Sequence, residues 1–485
     1  MKKEFLKSPS VIAGVLAHAV IFLWLFQLGF TVEERERIVA GLENNSAGSW
    51  VKSTLEVAGP IGLLTIYYDS HTDARIYYRY ALLALEGNTD YWEEIGGIKI
   101  DAERPWPYRD VPVEYQPGAL LTFMLPSLLA NDFDEYRFWL GTLFGALYVL
   151  NLFMGINLFS GGVVSTDQAK RMLWWSVVFL FCFGGIATTR FDHVVVTFIL
   201  LSALVFRSAA NKESKPALVL FAVFGGVAAL GVLTKIVPGL VFLAALVILL
   251  LRGKGKPKWA GAGAALAGLT GTLIVVNLAF YGIFGKGYLE SFTYHMDRGI
   301  HLESVYSGAL LLAGMAGYPV RLDKSFGAHN IVSPVSETIA GLAPFIFLSL
   351  AALIAWRVWK CGPNSDAPQN PRGSLAGELL IVTLAFLLAF ILTNKVFSPQ
   401  YLLWAGPLFA SWLGIRRNIL KPGYVFLLAT ILTQVTFPRL YGYLTDFNPV
   451  MVIVLNARNF LMAGIFIWLM IKMPQLLEQN KAGPV

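Results

Sequence analysis

The stretch Tyr67 to Ala81, YYDSHTDARIYYRYA, sets two carboxylates, Asp69 and Asp73, among His71, Arg75, Arg79 and five tyrosines. A carboxylate at a membrane–water interface can act as a general base, taking the proton of an acceptor hydroxyl as its oxygen attacks a carbon. The same acids have a plainer use, since Thr72 or Asp73 would make a good helix N-cap. Farther along stand Arg190, Lys235, Arg298, Lys395 and Arg439, cations able to hold a phosphate. Each could equally snorkel to an interface or pair with Asp192, Asp297 or Glu303. Groups suited to sugar hydroxyls are Glu114, Tyr115, Gln116, Asp192, His295, Asp297, Glu303, Gln400 and Tyr401. His295 and His301 flank Asp297 and Glu303, but HMDRGIH lacks the close pair on one helical turn that zinc sites use. No metal site and no cofactor are expected. No phosphate-cradling glycine loop and no G-x-S-x-G elbow occur, which argues against an ATPase or a soluble nucleotide-sugar enzyme.

These residues are carried by a chain built for a bilayer. Of 485 residues, 56% are hydrophobic and 14% charged, with mean hydropathy +0.60. A soluble protein would carry roughly 25% charged residues. The net charge of +7 does not point to nucleic acid, because Lys and Arg fall largely in short loops between apolar runs. Two cysteines, Cys182 and Cys361, offer no disulfide framework. Apolar runs predict an all-α polytopic protein of about twelve spans at about 20 residues each. They lie near Val11–Phe30, Phe138–Phe159, 172–189, 193–206, 216–234, 237–251, 259–281, 336–356, 376–393, 400–415, 422–437 and 450–471. The first follows MKKEFLKSPS with no small-residue cleavage site and reads as a retained span. Gly118–Ala130 and Val305–Gly317 are too short to cross and read as interfacial or re-entrant helices.

With neither short segment crossing, the basic loops at 168–171, 207–215, 252–258, 356–372 and 416–421, and both termini, fall on the cytoplasmic side. The polar segments then share the opposite side: the Tyr67–Ala81 stretch, VEYQPG, TTRFDH, LTKIVPG, YHMDRGIHLES, NKVFSPQYLLW and FPRLYGYL. Clustered polar groups at one interface suggest a shared site. The chain reads as one integral membrane domain, 1–485. It divides into a large first extracytoplasmic loop (31–137), a membrane core (138–281), a second outer loop (282–335) and C-terminal spans (336–485). The glycines of GGV (225–227) and GAGAALAGLTG (261–271) suit close helix packing. The C-terminal QNKAGPV carries no retention signal, which favours the plasma membrane.

The order of D-x-x-x-Y-Y (Asp73 to Tyr77 and Tyr78), Gly87, Tyr91, EYQPGALLTFMLPSLL, T-K-I-V-P, HMDRGIHLES and NKVFSPQYLLW resembles the GT-C superfamily of membrane glycosyltransferases. Within it, the chain is most similar to glycosyltransferase family 87, the polyprenyl-phosphate-mannose-dependent type, from Asp69 to about Tyr443. The resemblance implies membrane-parallel helices in the first outer loop and a donor sugar on a polyprenyl phosphate lying in a groove between spans. The acceptor would be a glycolipid, glycan or protein. The family's catalytic aspartate maps best onto Asp73, with Asp69 second, and its phosphate-binding lysine onto Lys235. Arg298, Lys395 and Arg190 would assist with the phosphate. Rival readings are a flippase for lipid-linked sugars, a glycan ligase or polymerase, and a scaffold subunit whose acids only cap helices.

Overall fold

In the computed structural model, residues 14, 16, 72–90, 103–159, 165–212, 214–253, 257–362, 371–415 and 420–479 are described. Asp69, the 31–71 part of the first loop, Tyr91 and nearly all of Val11–Phe30 lie outside them, as does the side chain of Arg439. Helices dominate: α1 (Thr72–Glu86), α2 (Pro117–Ser127), α3 (Phe133–Phe159), α4 (Thr166–Phe183), α5 (Ile186–Thr189), α6 (Asp192–Ala210), α7 (Ser214–Val232), α8 (Gly239–Arg252), α9 (Pro257–Phe284) and α10 (Lys286–Asp297). After β1 (Ile300–His301) come α11 (Val305–Met315), β2 (Arg321–Ser325), β3 (Ala328–Val332), α12 (Ser336–Lys360) and α13 (Pro371–Thr393). The chain closes with α14 (Leu402–Ile415), α15 (Leu420–Gln434), α16 (Tyr441–Thr445) and α17 (Pro449–Gln479).

Among the described residues, six helices are long and apolar enough to cross a membrane: α3, α6, α7, α9, α12 and α17. Gly239–Arg252 and Gly377–Thr393 are apolar but shorter. The protein is membrane-embedded. Helix α4 falls outside the six because Asp167, Lys170 and Arg171 occupy its first turns. Its start is fixed instead by a capping box, in which Ser165 and Gln168 each satisfy the other's backbone amide. The two short apolar segments form α2 and α11, each of 11 residues, about 16 Å at 1.5 Å per residue.

One departure from an all-helical chain is a small antiparallel sheet in the order β1-β3-β2. It tethers the 298–304 segment: Ile300 pairs with Ile331, and the His301 amide donates to the Lys395 carbonyl at 2.9 Å. Close approach of helices relies on glycine where it was expected. A Cβ on Gly225 would collide with the Ala265 carbonyl of α9, and one on Gly268 with the Ala222 carbonyl of α7. At the polar end, Gly118 lets the start of α2 lie against Thr234, and its amide donates to the Leu233 carbonyl at 2.8 Å.

Candidate functional site

Helix α1 buries Ala74, Tyr77 and Ala81, spaced as one helical face requires. Tyr77 stacks on Phe123 of α2 with centroids 4.2 Å apart and meets Phe191 edge-on at 5.8 Å. Tyr115 meets Tyr77, Phe123 and Phe191 edge-on as well. This aromatic box fixes α1 against the residue that follows Arg190. Asp73, one turn before Tyr77, consequently pairs with Arg190 through Oδ2 and Nη1. Its side chain keeps 28% exposure while that of Arg190 keeps 6%. The Arg190 guanidinium also lies 5.9 Å from the Phe437 ring centre.

The chain breaks between α5 and α6, with Arg190 extended, so Arg190 and Asp192 sit on adjacent helix ends. Asp192 is fully buried. Its Oδ1 accepts from Lys235 Nζ at 2.8 Å and from Trp404 Nε1 at 2.6 Å. Lys235 stands over three rings, Phe191 at 4.8 Å, Trp404 at 5.1 Å and Tyr401 at 5.4 Å. Tyr401 stacks on Trp404 at 4.0 Å. A lysine so caged is walled by rings on its apolar sides and paired with a carboxylate on the other.

Glu303 is 1% exposed and pairs with Arg458 of α17 at 3.3 Å. Burial pushes its carboxyl up to about 7, against the pull of Arg458 and Arg190. Burial likewise holds His301 well below the ordinary imidazole range, assisted by Arg298 and Arg458. Glu114 is raised by burial, although the Tyr294 phenol bonds it and Arg298 faces it. Lys395 is lowered by burial, and its ammonium donates to the Met296 carbonyl. Arg298, Lys235 and Lys395 all lie within electrostatic reach of His295, whose residue keeps an exposed edge. Asp297 is exposed, and Gln400 is half-buried.

The structure therefore brings together Asp73, Arg190, Asp192, Lys235, Glu303 and Tyr401, with Glu114, Tyr115, Gln116, His295, Arg298 and Lys395 beside them. Two roles expected from the sequence need revision. Asp192 and Glu303 were expected to hold sugar, yet both are buried and bonded to Lys235 and Arg458. Asp192 Oδ1 and Glu303 Oε2 are thus engaged with cations rather than left for a sugar. Arg190, expected at a phosphate, is turned to Asp73. At this end Gln116 Oε1, Arg190 Nε, Asp192 Oδ2 and Arg298 Nε are buried without a hydrogen-bond partner, as are His193 Nδ1 and Asn330 Oδ1. Such atoms are costly in a folded protein and mark places where a ligand's oxygens and hydroxyls can repay the loss. Among the described residues, no group of three or more His, Cys, Asp or Glu could hold a metal ion.

Trp404, Arg458 and Tyr294 were not foreseen. Arg458 had a signal of its own, an arginine inside the apolar run VIVLNARNFLMAG, where a charge is costly unless paired. Trp404 follows Tyr401 by three residues, a helical spacing that places both rings on one side. Neither a family model, nor a curated protein, nor a solved structure matches the chain.

Proposed function

We propose that the protein is a membrane glycosyltransferase that moves a sugar, mannose by family resemblance, from a polyprenyl phosphate to an acceptor hydroxyl. The reading includes about twelve spans, both termini cytoplasmic, and a site on the extracytoplasmic face of a plasma membrane. One observation carries it: a partly exposed carboxylate, Asp73, is held by a buried arginine at the same end of the bundle as Lys235, Arg298 and Lys395. A base and an anion-binding set side by side are what this transfer needs.

In the reaction, Asp73 accepts the proton of the acceptor hydroxyl while its oxygen forms a bond to the anomeric carbon from the face opposite the phosphate. The carbon–oxygen bond to the phosphate breaks, and the electron pair leaves with the polyprenyl phosphate, inverting the carbon. Arg190 orients the base. Arg298, Lys235 and Lys395 stabilise the phosphate as its charge grows, so no general acid is required. Asp192 and Glu303 hold cations in place, while Glu114, Tyr115, Gln116 and His295 are placed to meet sugar or acceptor. Glycolipid, glycan and protein acceptors all fit this chemistry.

The test is transfer of label from polyprenyl-phosphate-mannose to a membrane extract of the source organism by the purified protein. Labelled product supports the reading. Lack of transfer from this donor and from other polyprenyl-phosphate sugars, with the protein folded, would reject it.

A further inference from the structure

The opposite end of the bundle carries a second cluster that the proposed transfer does not use. Arg252, at the end of α8, donates to the Cys361 carbonyl just past α12 at 2.9 Å. Lys258, at the start of α9, donates to the Leu250 carbonyl of α8 at 3.2 Å. Helices α9 and α12 both pack on α8, and the start of α9 and the end of α12 both lie at the end of α8 that carries Arg252. Three tryptophans are exposed there: Trp259 at 64%, Trp356 at 43% and Trp359 at 61%. Cations lie across their faces, Lys360 at 4.2 Å and Arg357 at 5.9 Å from Trp356, and Lys258 at 5.6 Å from Trp259.

Along the bilayer each helix packs on its neighbours by one side and leaves the rest of its surface uncovered. Only 6% of the most apolar window of α9 and 11% of that of α12 is buried. Acyl chains are the natural cover for such faces. Charge complementarity decides which lipid sits at their ends. Lys258, Arg357 and Lys360 are met by no salt-bridging acid among the described residues, and Glu378 is consumed by Arg252. Beyond Glu378, the acid within electrostatic reach of Arg252 is exposed Glu478.

We propose that this end is a binding site for an anionic phospholipid. Its phosphodiester would sit between Lys258 and Lys360, its glycerol on the tryptophan edges, and its acyl chains along α9 and α12. Tryptophan at the headgroup level and basic residues between helix ends suit such a lipid. The site is independent of the sugar-transfer reading.

Native mass spectrometry of the full chain in detergent, titrated with phosphatidylglycerol or with phosphatidylcholine, tests it. The wild type should bind phosphatidylglycerol more tightly. K258Q/K360Q should lose affinity on the order of tenfold or more, and K360Q alone should lose a smaller part. K286Q, an exposed lysine at the start of α10, should bind as wild type does, and unchanged unfolding midpoints would show that the variants remain folded. Equal affinity for the two lipids, or an unchanged K258Q/K360Q titration, would overturn the proposal. Displacement of the lipid by millimolar inorganic phosphate would also overturn it, marking a site for free anion.

Discussion

Arg252 and Glu378 sit at one end of the bundle with both side chains at 0% exposure, joined by two bonds of 3.1 and 3.0 Å. Arg252 Nη1 donates to the carbonyls of Cys361 and Gly362. At the other end, Asp73–Arg190 and Asp192–Lys235 look alike on paper but are incomplete. Arg190 Nε, Asp192 Oδ2 and Arg298 Nε lack partners, and Asp73 remains partly open. Both ends bury charge. Arg252 Nε, Nη1 and Nη2 and both Glu378 oxygens have partners, although Arg357 Nε and Asn211 Oδ1 on that side of the bundle are buried without one. The closed pair fastens α8 to α13, whereas the open cluster keeps unspent donors and acceptors in one place, as a ligand site does.

The largest effect is expected from breaking the closed end. Glu378→Ala would leave Arg252 charged and unpaired in the interior and cost about 3–5 kcal/mol. Replacing both partners by apolar residues of similar volume, R252M/E378L, should restore most of it. Unfolding in detergent reads both, and a single variant as stable as wild type would erase the contrast.

Next comes the aromatic box that carries Asp73. Phe123→Ala removes the ring stacked on Tyr77 and should cost about 3 kcal/mol or more. It should also lower transfer beyond the loss of folded protein, because α1 loses its seat against α2. A smaller effect belongs to packing away from either cluster. Gly225→Val forces α7 off the Ala265 carbonyl and should cost about 1–3 kcal/mol, with transfer per folded molecule retained.

The most specific effect concerns pH. Glu303 rises from an ordinary 4.5 to about 7 on burial, so the folded state holds its proton more tightly than the unfolded state. The stability contributed by this group is full below about 4.5 and is lost as pH rises to about 7, above which the curve is flat. Glu303→Gln should remove that slope. A slope of the same size in the variant would assign it to another group.

Much of the architecture was legible because hydropathy alone dictates it. The expected apolar runs from Phe138 onward fall on helices, although 172–189 is broken at Gly184 and 422–437 runs past α15 to non-helical Phe437, and the small residues of α7 and α9 meet as their sizes suggest. The sheet was not legible. RLDKS and AHNIV show no apolar alternation, and Phe326 takes a positive φ of 53° beside Gly327 in the turn, a conformation an aromatic residue does not advertise. Strands β2 and β3 pair as a hairpin through the Phe326–Gly327 turn, and β1 adds to it from a distant stretch of chain tied to the 395 segment. Site residues were legible as types but not as pairs. Asp73 and Arg190, or Glu303 and Arg458, are too far apart in sequence for any spacing rule. Which acid would be buried and which left open was decided by Trp404 and α17. Asp73 lies in the first turn of α1, so its plainer role at a helix start and its contact with Arg190 coexist.

The most direct test of the central claim is kcat/KM for transfer from polyprenyl-phosphate-mannose by wild type, Asp73→Asn and Asp192→Asn, each corrected for folded protein. If Asp73 is the base at the open end, Asp73→Asn falls about 10²–10⁴-fold, and Asp192→Asn, which loosens Lys235, falls less and through KM as well as kcat. Full kcat/KM in the Asp73→Asn protein would contradict the account and leave Asp73 as a structural partner of Arg190.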